Sequence, residues 1–207
     1  MRFTDDELLS MAMDAEAPVP VVLSTVDLAD ADAVLASAVR GQRSLAVRGL
    51  VSADRVDQGV AEVQRAMGAP ARFTVFAGNR ELDRVIGLPA TTWLPLRDGL
   101  VRLEEEAVGT FTVLDDTVDD AMDEITAFFD AAREATADGD SAGPELWICL
   151  AAVTRAGVAG MSARTGQLSA TTITPNGEVS TESRDFATAH DLVRDLLASA
   201  VPAEDAT

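Results

Sequence analysis

Between Arg72 and Phe129 the chain alternates apolar and polar positions in short runs, RFTVFA, TTWLPLR, LVRLEEE and GTFTVL, then changes to helical spacing in DDTVDDAMDEITAFFDAARE. A period of two marks half-buried strands, and a period near 3.6 marks an amphipathic helix. The same order returns from Leu146 to Ser199 as LWICLAAVT, AGMSAR, QLSATTIT and EVSTES, closed by DFATAHDLVRDLLAS. Met122, Ile125, Phe128 and Phe129 give the first closing helix its apolar face, and Leu192, Val193, Leu196 and Leu197 the second. Asp98-Gly99, Thr165-Gly166 and Asn176-Gly177 are turn signals between runs, while Gly109 marks a turn or a bulge.

Before these repeats lies a helical leader. Thr4 and Glu7 form a capping box, which predicts a helix over about Asp5 to Asp14, ended by Pro18 and Pro20. Asp27 or Asp30 caps a second helix whose face carries Val34, Leu35 and Ala38, with Gly41 just past its end. SLAVRGLV reads as a strand or a helix end, and Val56, Val60, Val63 and Met67 space a third helix that Gly68 and Pro70 stop. The expectation is an α+β fold in a single domain spanning 1–207. An antiparallel or mixed sheet is built from two similar β-meander-plus-helix halves, with helices on one face and an N-terminal helical leader. The boundaries fall at 1–70 for the leader, 71–136 and 146–200 for the halves, and 137–145 for a connector marked by ATADGDSAGP.

Composition narrows the functions. An apolar content of 47% over 207 residues supports a core, and 35 acidic residues against 16 basic ones, every one an Arg, give a net charge of -19. Such a charge repels phosphate backbones and anionic lipid, so neither a nucleic acid nor a membrane is expected as partner. Cys149, the single cysteine, cannot form an internal disulfide, and no apolar stretch nears twenty residues. With no basic-then-apolar signal sequence, the expected location is the cytoplasm. Lys and Tyr are absent while Ala, Arg and Asp abound, a composition of the GC-rich, actinobacterial type.

The chemistry is sparse. His190 is the only histidine, which rules out a two-histidine metal site, and its place beside Asp191 at a helix start reads as a solvated position. Cys149 sits in an apolar run with no histidine nearby and reads as a small buried residue. Asp138, Asp140 and Gly143 suggest a calcium loop, but Ala142 and Cys149 stand where oxygen ligands are needed. Glu104, Glu105 and Glu106 place carboxylates on both faces of one strand, within reach of Arg97 or Arg102. No phosphate-binding loop, dinucleotide fingerprint or nucleophile elbow is present, so no catalytic residue, metal or cofactor is expected and the chain is expected not to be an enzyme. Apolar side chains of uncertain duty are Trp93, Trp147, Met161 and the set Leu82, Val85, Ile86 and Leu88. The last four lie in GNRELDRVIGLPAT, read either as a helical turn packed inward or as a displayed apolar loop.

The Arg48-Gly49-Leu50-Val51 step between helices, the next helix ending at Ala69-Pro70, and the paired meanders together make the chain resemble the EspG family of actinobacterial type VII secretion chaperones. The resemblance covers most of the chain by order of elements, although the chain is short for that family. It implies a central sheet of quasi-twofold halves. It also implies a cytosolic chaperone that binds the apolar tip of a helical secretion substrate, the PPE partner of a PE–PPE pair. By the same resemblance the contacts are assigned to the segment 78–90, hence to Leu82, Val85, Ile86 and Leu88. Two other readings stand beside it: an immunity or antitoxin-like acidic protein that neutralises a basic partner, and a carboxylate-dependent enzyme.

Overall fold

A computed structural model describes residues 1–17, 23, 25–69, 71–81, 84–87, 91–96, 99–137, 145–154, 157–164 and 167–200, with backbone alone at 76–81, 84–87, 132, 134–137, 145–148, 164 and 199–200. The leader holds β1 (Arg2–Thr4), α1 (Asp5–Asp14), α2 (Ala31–Val47), the short pair β2 (Val51–Ser52) and β3 (Arg55–Val56), and α3 (Gln58–Met67). The first half is β4 (Arg72–Glu81), β5 (Arg84–Gly87), β6 (Thr91–Leu96), β7 (Gly99–Ala107), β8 (Thr110–Asp116) and α4 (Val118–Ala137). The second is β9 (Glu145–Thr154), β10 (Gly157–Arg164), β11 (Gln167–Ile173), β12 (Val179–Arg184), a 3₁₀ turn at Phe186–Thr188 and α5 (Ala189–Ala200).

The halves meet edge to edge in one sheet of order β1-β8-β7-β6-β4-β9-β10-β11-β12, with β5 added to β4, and every described ladder is antiparallel. β4 and β9 are ten residues each and pair from Arg72↔Val153 to Arg80↔Glu145. Each half then steps outward from this central pair by hairpins and returns through a helix, so the repeat expected from the hydrophobic pattern is a structural one. Helices α4 and α5 lie together on one face. Phe73, Val75, Trp93 and Leu100 from the first half and Leu150, Met161, Ala163 and Leu168 from the second bury against Ile125, Phe129, Val193 and Leu197. Trp93 and Met161 are thus core residues, and the Trp93 indole N–H donates to Asp116 Oδ2 at 2.8 Å.

Two features of the leader go beyond what was expected, and one expectation needs correction. Its helices do not share the α4–α5 face: they cross to the other side of the first half, where Phe3, Leu8, Leu9, Val60, Val63 and Met67 bury Leu94, Val101, Leu103 and Phe111. Helices therefore lie on both faces there. Arg2–Thr4 is an added edge strand, Phe3 opposite Phe111, too short for periodicity to reveal. Gly41 lies inside α2 and does not end it: a Cβ there would stand 1.9 Å from the Asp6 carbonyl oxygen, so only glycine lets the backbones of α1 and α2 cross so closely. The helix runs on to Val47. Gly49 takes φ +70, its N–H donates to the Ala46 carbonyl at 3.0 Å, and that of Leu50 to Leu45 at 2.9 Å, which caps the last turn.

Polar ties fix the leader to this crossing. The capping box forms as expected, with Glu7 N–H donating to Thr4 Oγ1 at 3.3 Å and Thr4 N–H to Glu7 Oε2 at 3.0 Å. Fully buried Glu7 also accepts from Ser44 Oγ at 2.7 Å and Arg48 Nη1 at 2.7 Å, while Arg48 stacks over the Phe3 ring. Asp5 accepts from the Thr25 N–H and hydroxyl. The Arg40 guanidinium, assisted by Ser37, holds the Asp6 carboxyl below its ordinary value against the effect of burial. The acids of the first turn of α1 are ties between helices.

Candidate partner-binding surface

Register places the two faces of the second half. Leu150, Ala152, Met161, Ala163 and Leu168 face α4 and α5, so the alternate positions form the opposite face. Three rows cross its middle: Cys149–Ser162–Ser169–Ser183, Ala151–Gly160–Thr171–Thr181 and Val153–Val158–Ile173–Val179, and a fourth, Trp147–Arg164–Gln167, closes it at the end where β9 begins. None of the twelve positions in the three middle rows is charged, in a chain where a quarter of all residues are. From β9 to β11 all are half-buried, and on β12 all are exposed, Val179 to 65%. No residue beyond Val113 joins the cluster formed with the leader, so among the described residues no helix covers this face. The middle row continues in the first half as Thr74 and Thr92, whose buried hydroxyls bond at 3.0 Å, and then passes beneath the leader, while the Val153 row meets Arg72.

The segment expected to make apolar contacts borders one end of this face. β4 outruns β6, and its last residues pair with β5 as Gly78↔Gly87, Asn79↔Ile86, Arg80↔Val85 and Glu81↔Arg84. Residues 78–81 and 84–87 thus pair as two antiparallel strands, not as a helical turn or a plain loop. Their other edge pairs with the start of β9, Gly78↔Trp147 and Arg80↔Glu145. Val85 and Ile86 therefore stand two strands from β9, at the end where β9 begins. Leu82 and Leu88 lie outside the described residues, as do Asp138, Asp140, Ala142, Gly143, Arg97 and the side chain of Trp147.

The candidate chemistry is dispersed. Glu104 meets Arg102 at 3.2 Å, Glu105 Oε1 accepts from the Gly109 N–H at 3.0 Å, and Glu106 meets Arg2 at 2.9 Å. The three glutamates form no pair with one another. Arg102 also binds Glu124 at 2.6 Å and stacks over Trp93. Burial raises the affinity of Glu124 for its proton, Arg102 opposes this, and Glu104 and Asp116 reinforce it. With its guanidinium seated between carboxylates, the cluster has the form of an ion-pair network pinning α4 to the sheet. His190 Nδ1 lies 3.1 Å from Arg194 Nη2, and its side chain is half exposed. Burial pushes the Cys149 thiol up, which disfavours the thiolate a nucleophile needs. Among the described residues no three His, Cys, Asp or Glu side chains gather to hold a metal ion, and no helix is long and apolar enough to cross a membrane.

The uncharged face escaped the reading of the sequence, although a signal for it was present. In LWICLAAVT both alternating sets are uncharged, and in GVAGMSAR the only charge is the terminal Arg164, whereas LVRLEEE carries Arg102 and Glu104 within one set. Comparison of the chain with protein-family models and with curated proteins finds no match.

Proposed function

We propose that this chain is a non-enzymatic protein-binding module, a chaperone-like protein that shelters an apolar helical segment of a type VII secretion partner in the cytoplasm. The observation that carries the reading is the uncharged, half-exposed face of β9–β12, whose counterpart across the pseudo-twofold is filled by amphipathic helices. A sheet face that takes α1 and α3 on one half is suited to a helical ligand on the other. Its small residues allow close approach, and burial of about 800 Å² per partner is typical of a specific contact. The resemblance of the Arg48–Val51 step and the paired meanders to the secretion chaperones supports the same class of partner. Leu82, Val85, Ile86 and Leu88 belong to the proposal as contacts, with Val85 and Ile86 on β5 near the end of the face. The net charge of -19 favours encounter with a basic partner. A neutraliser of a basic active site would need acids on its binding face, and the twelve positions at the middle of this face include none.

The test is co-purification from an actinobacterial host with mass spectrometry, followed by rebinding of the purified partner. Three proteins are compared: the natural chain, Ala151→Arg, and Leu82→Asp combined with Ile86→Asp. Recovery of a helical secreted protein that Ala151→Arg loses while keeping its unfolding midpoint supports the reading and its face. Loss only in the double variant moves the site to 78–87. Recovery of a toxin, or of no protein at all, overturns the reading.

A further inference from the structure

The two edges of the sheet differ. β1 is a three-residue strand backed by the leader, whereas β12 is six residues long, exposed at every position, and paired without a bulge to β11. Edge strands are ordinarily protected by shortness, proline, lysine, a bulge or a covering element. β12 has no proline, lysine, bulge or cover among the described residues, and its charged pair, Glu182 and Arg184, is joined within the strand in the single copy. What it carries is a self-complementary charge pattern. Glu178, Glu182 and Arg184 have the same parity and so share the α5 face, while Val179, Thr181 and Ser183 share the uncharged face.

We propose that β12 is a homodimer contact, in which two copies pair this strand antiparallel about a twofold axis at Thr181. An axis perpendicular to the sheet keeps each face on its own side, so only registers that set residues of equal parity opposite one another are allowed. An axis at Glu182 sets Glu182 against its own copy, and one at Ser183 leaves only the end of the strand overlapping. The axis at Thr181 overlaps the whole strand. Val179 faces Ser183 of the second copy, Ser180 faces Glu182, and Arg184 faces Glu178 at both ends. The hydroxyl pair of Thr171 and Thr181, 3.1 Å apart, then continues through Thr181 and Thr171 of the second copy as one row. The two uncharged faces come to lie side by side on one surface. A single added ladder is a small interface, so association is of the transient class, in the range of tens of micromolar.

The test uses sedimentation of the full chain at moderate salt, because two chains of -19 repel at low salt. It is joined to cross-linking by a short bifunctional maleimide in a Cys149→Ser background. Thr181→Cys is expected to link to itself efficiently and Val179→Cys poorly, since Val179 stands opposite Ser183. Glu178→Arg or Arg184→Glu is expected to weaken the dimer about 10-fold, and the two together to restore it, because two exposed ion pairs are reversed and then rebuilt. A monomer at all accessible concentrations, a dimer with Val179→Cys linking as well as Thr181→Cys, or failure of the double exchange to restore affinity overturns the proposal. Unfolding midpoints of the variants, read in parallel, separate lost pairing from lost folding.

Discussion

The two halves run the same course, a meander from a ten-residue central strand and a helix returned over the same face, yet they finish their second faces differently. In the first half that face is Leu94, Val101, Leu103 and Phe111, large and buried beneath the leader. In the second it is Cys149, Ala151, Gly160, Ser162, Ser169 and Thr171, small, uncharged and half-buried. A sheet that must exclude water from both faces carries large apolar residues on both, and one with a solvated face ordinarily carries charges there. The second half does neither. Its face is too poor in apolar area to demand a permanent cover and too free of charge to be ordinary surface, which is the condition of a surface covered part of the time.

The difference is broken most severely by shrinking matched residues. Phe111→Ala empties space beneath the leader and is expected to cost about 3–5 kcal/mol, as buried phenylalanine truncations do. Ile173→Ala on the open face removes a half-buried side chain with no helix above it, and the expected loss is about 1 kcal/mol or less. Urea unfolding followed by circular dichroism measures both, and similar losses would mean that the open face is covered after all.

Gly41→Ala separates packing from propensity. Alanine favours an isolated helix by about 1 kcal/mol over glycine. In α2 its Cβ would stand 1.9 Å from the Asp6 carbonyl oxygen, so α1 must move and carry Leu8 and Leu9 with it. The expected outcome is a net loss of about 1–3 kcal/mol, in the range of overpacked cores. A gain in the unfolding midpoint would refute the close crossing.

That position also marks the limit of what the residues reveal unaided. Strands with one clean apolar set, such as RFTVFA, and helices with full caps, such as Thr4 with Glu7, are legible because their determinants are local. The repeat is legible for the same reason, as each half restates one local pattern. Gly41 was misread as a stop because a helix-ending glycine and a helix-crossing glycine look alike until the second helix is in place. Gly49 carries the local signature, a positive φ and the capping bonds. The side taken by the leader was not legible, since the apolar stripe of α3 fits either face of a sheet. For the proposed contacts, composition identified 78–90 as unusually apolar for a connection but could not resolve its pairing. Asn79↔Ile86 and Arg80↔Val85 join residues whose alternation is broken by charges.

Acid should act on the leader's tie and on the α4 ion-pair cluster with opposite signs. Asp6 has its proton affinity lowered by Arg40, so its contribution is complete above the ordinary value of 3.8 and is lost as pH falls through the depressed folded value. Glu124 has its affinity raised, chiefly by burial, so the folded state holds that proton more firmly than the unfolded chain does. Its deprotonation costs stability as pH rises, and the gain on acidification spans the range from its raised value down to 4.5. Urea midpoints compared near pH 7, about pH 5 and about pH 3 should show Glu124→Gln lacking the gain in the upper interval and Asp6→Asn lacking part of the loss in the lower one. Parallel profiles for the natural chain and both variants would exclude these sites as the source.

The smallest expected effect sharpens the comparison most. Thr171→Arg sets a long charged side chain in the middle of the open face, at the strand position that Leu103 and Val101 hold in β7. If that face meets water in the free protein, the guanidinium stays hydrated while its stem lies along Ala151 and Ile173, and the unfolding free energy should move by no more than about 0.5 kcal/mol. Leu103→Arg, with no route to water beneath α1 and α3, should prevent folding at ordinary temperature. The same Thr171→Arg variant should lose the proposed helical partner, because a helix laid on the face would have to bury that charge. Loss of binding without loss of stability is the signature of a surface kept free of charge for a ligand, whereas loss of both would mean that its freedom from charge serves the fold.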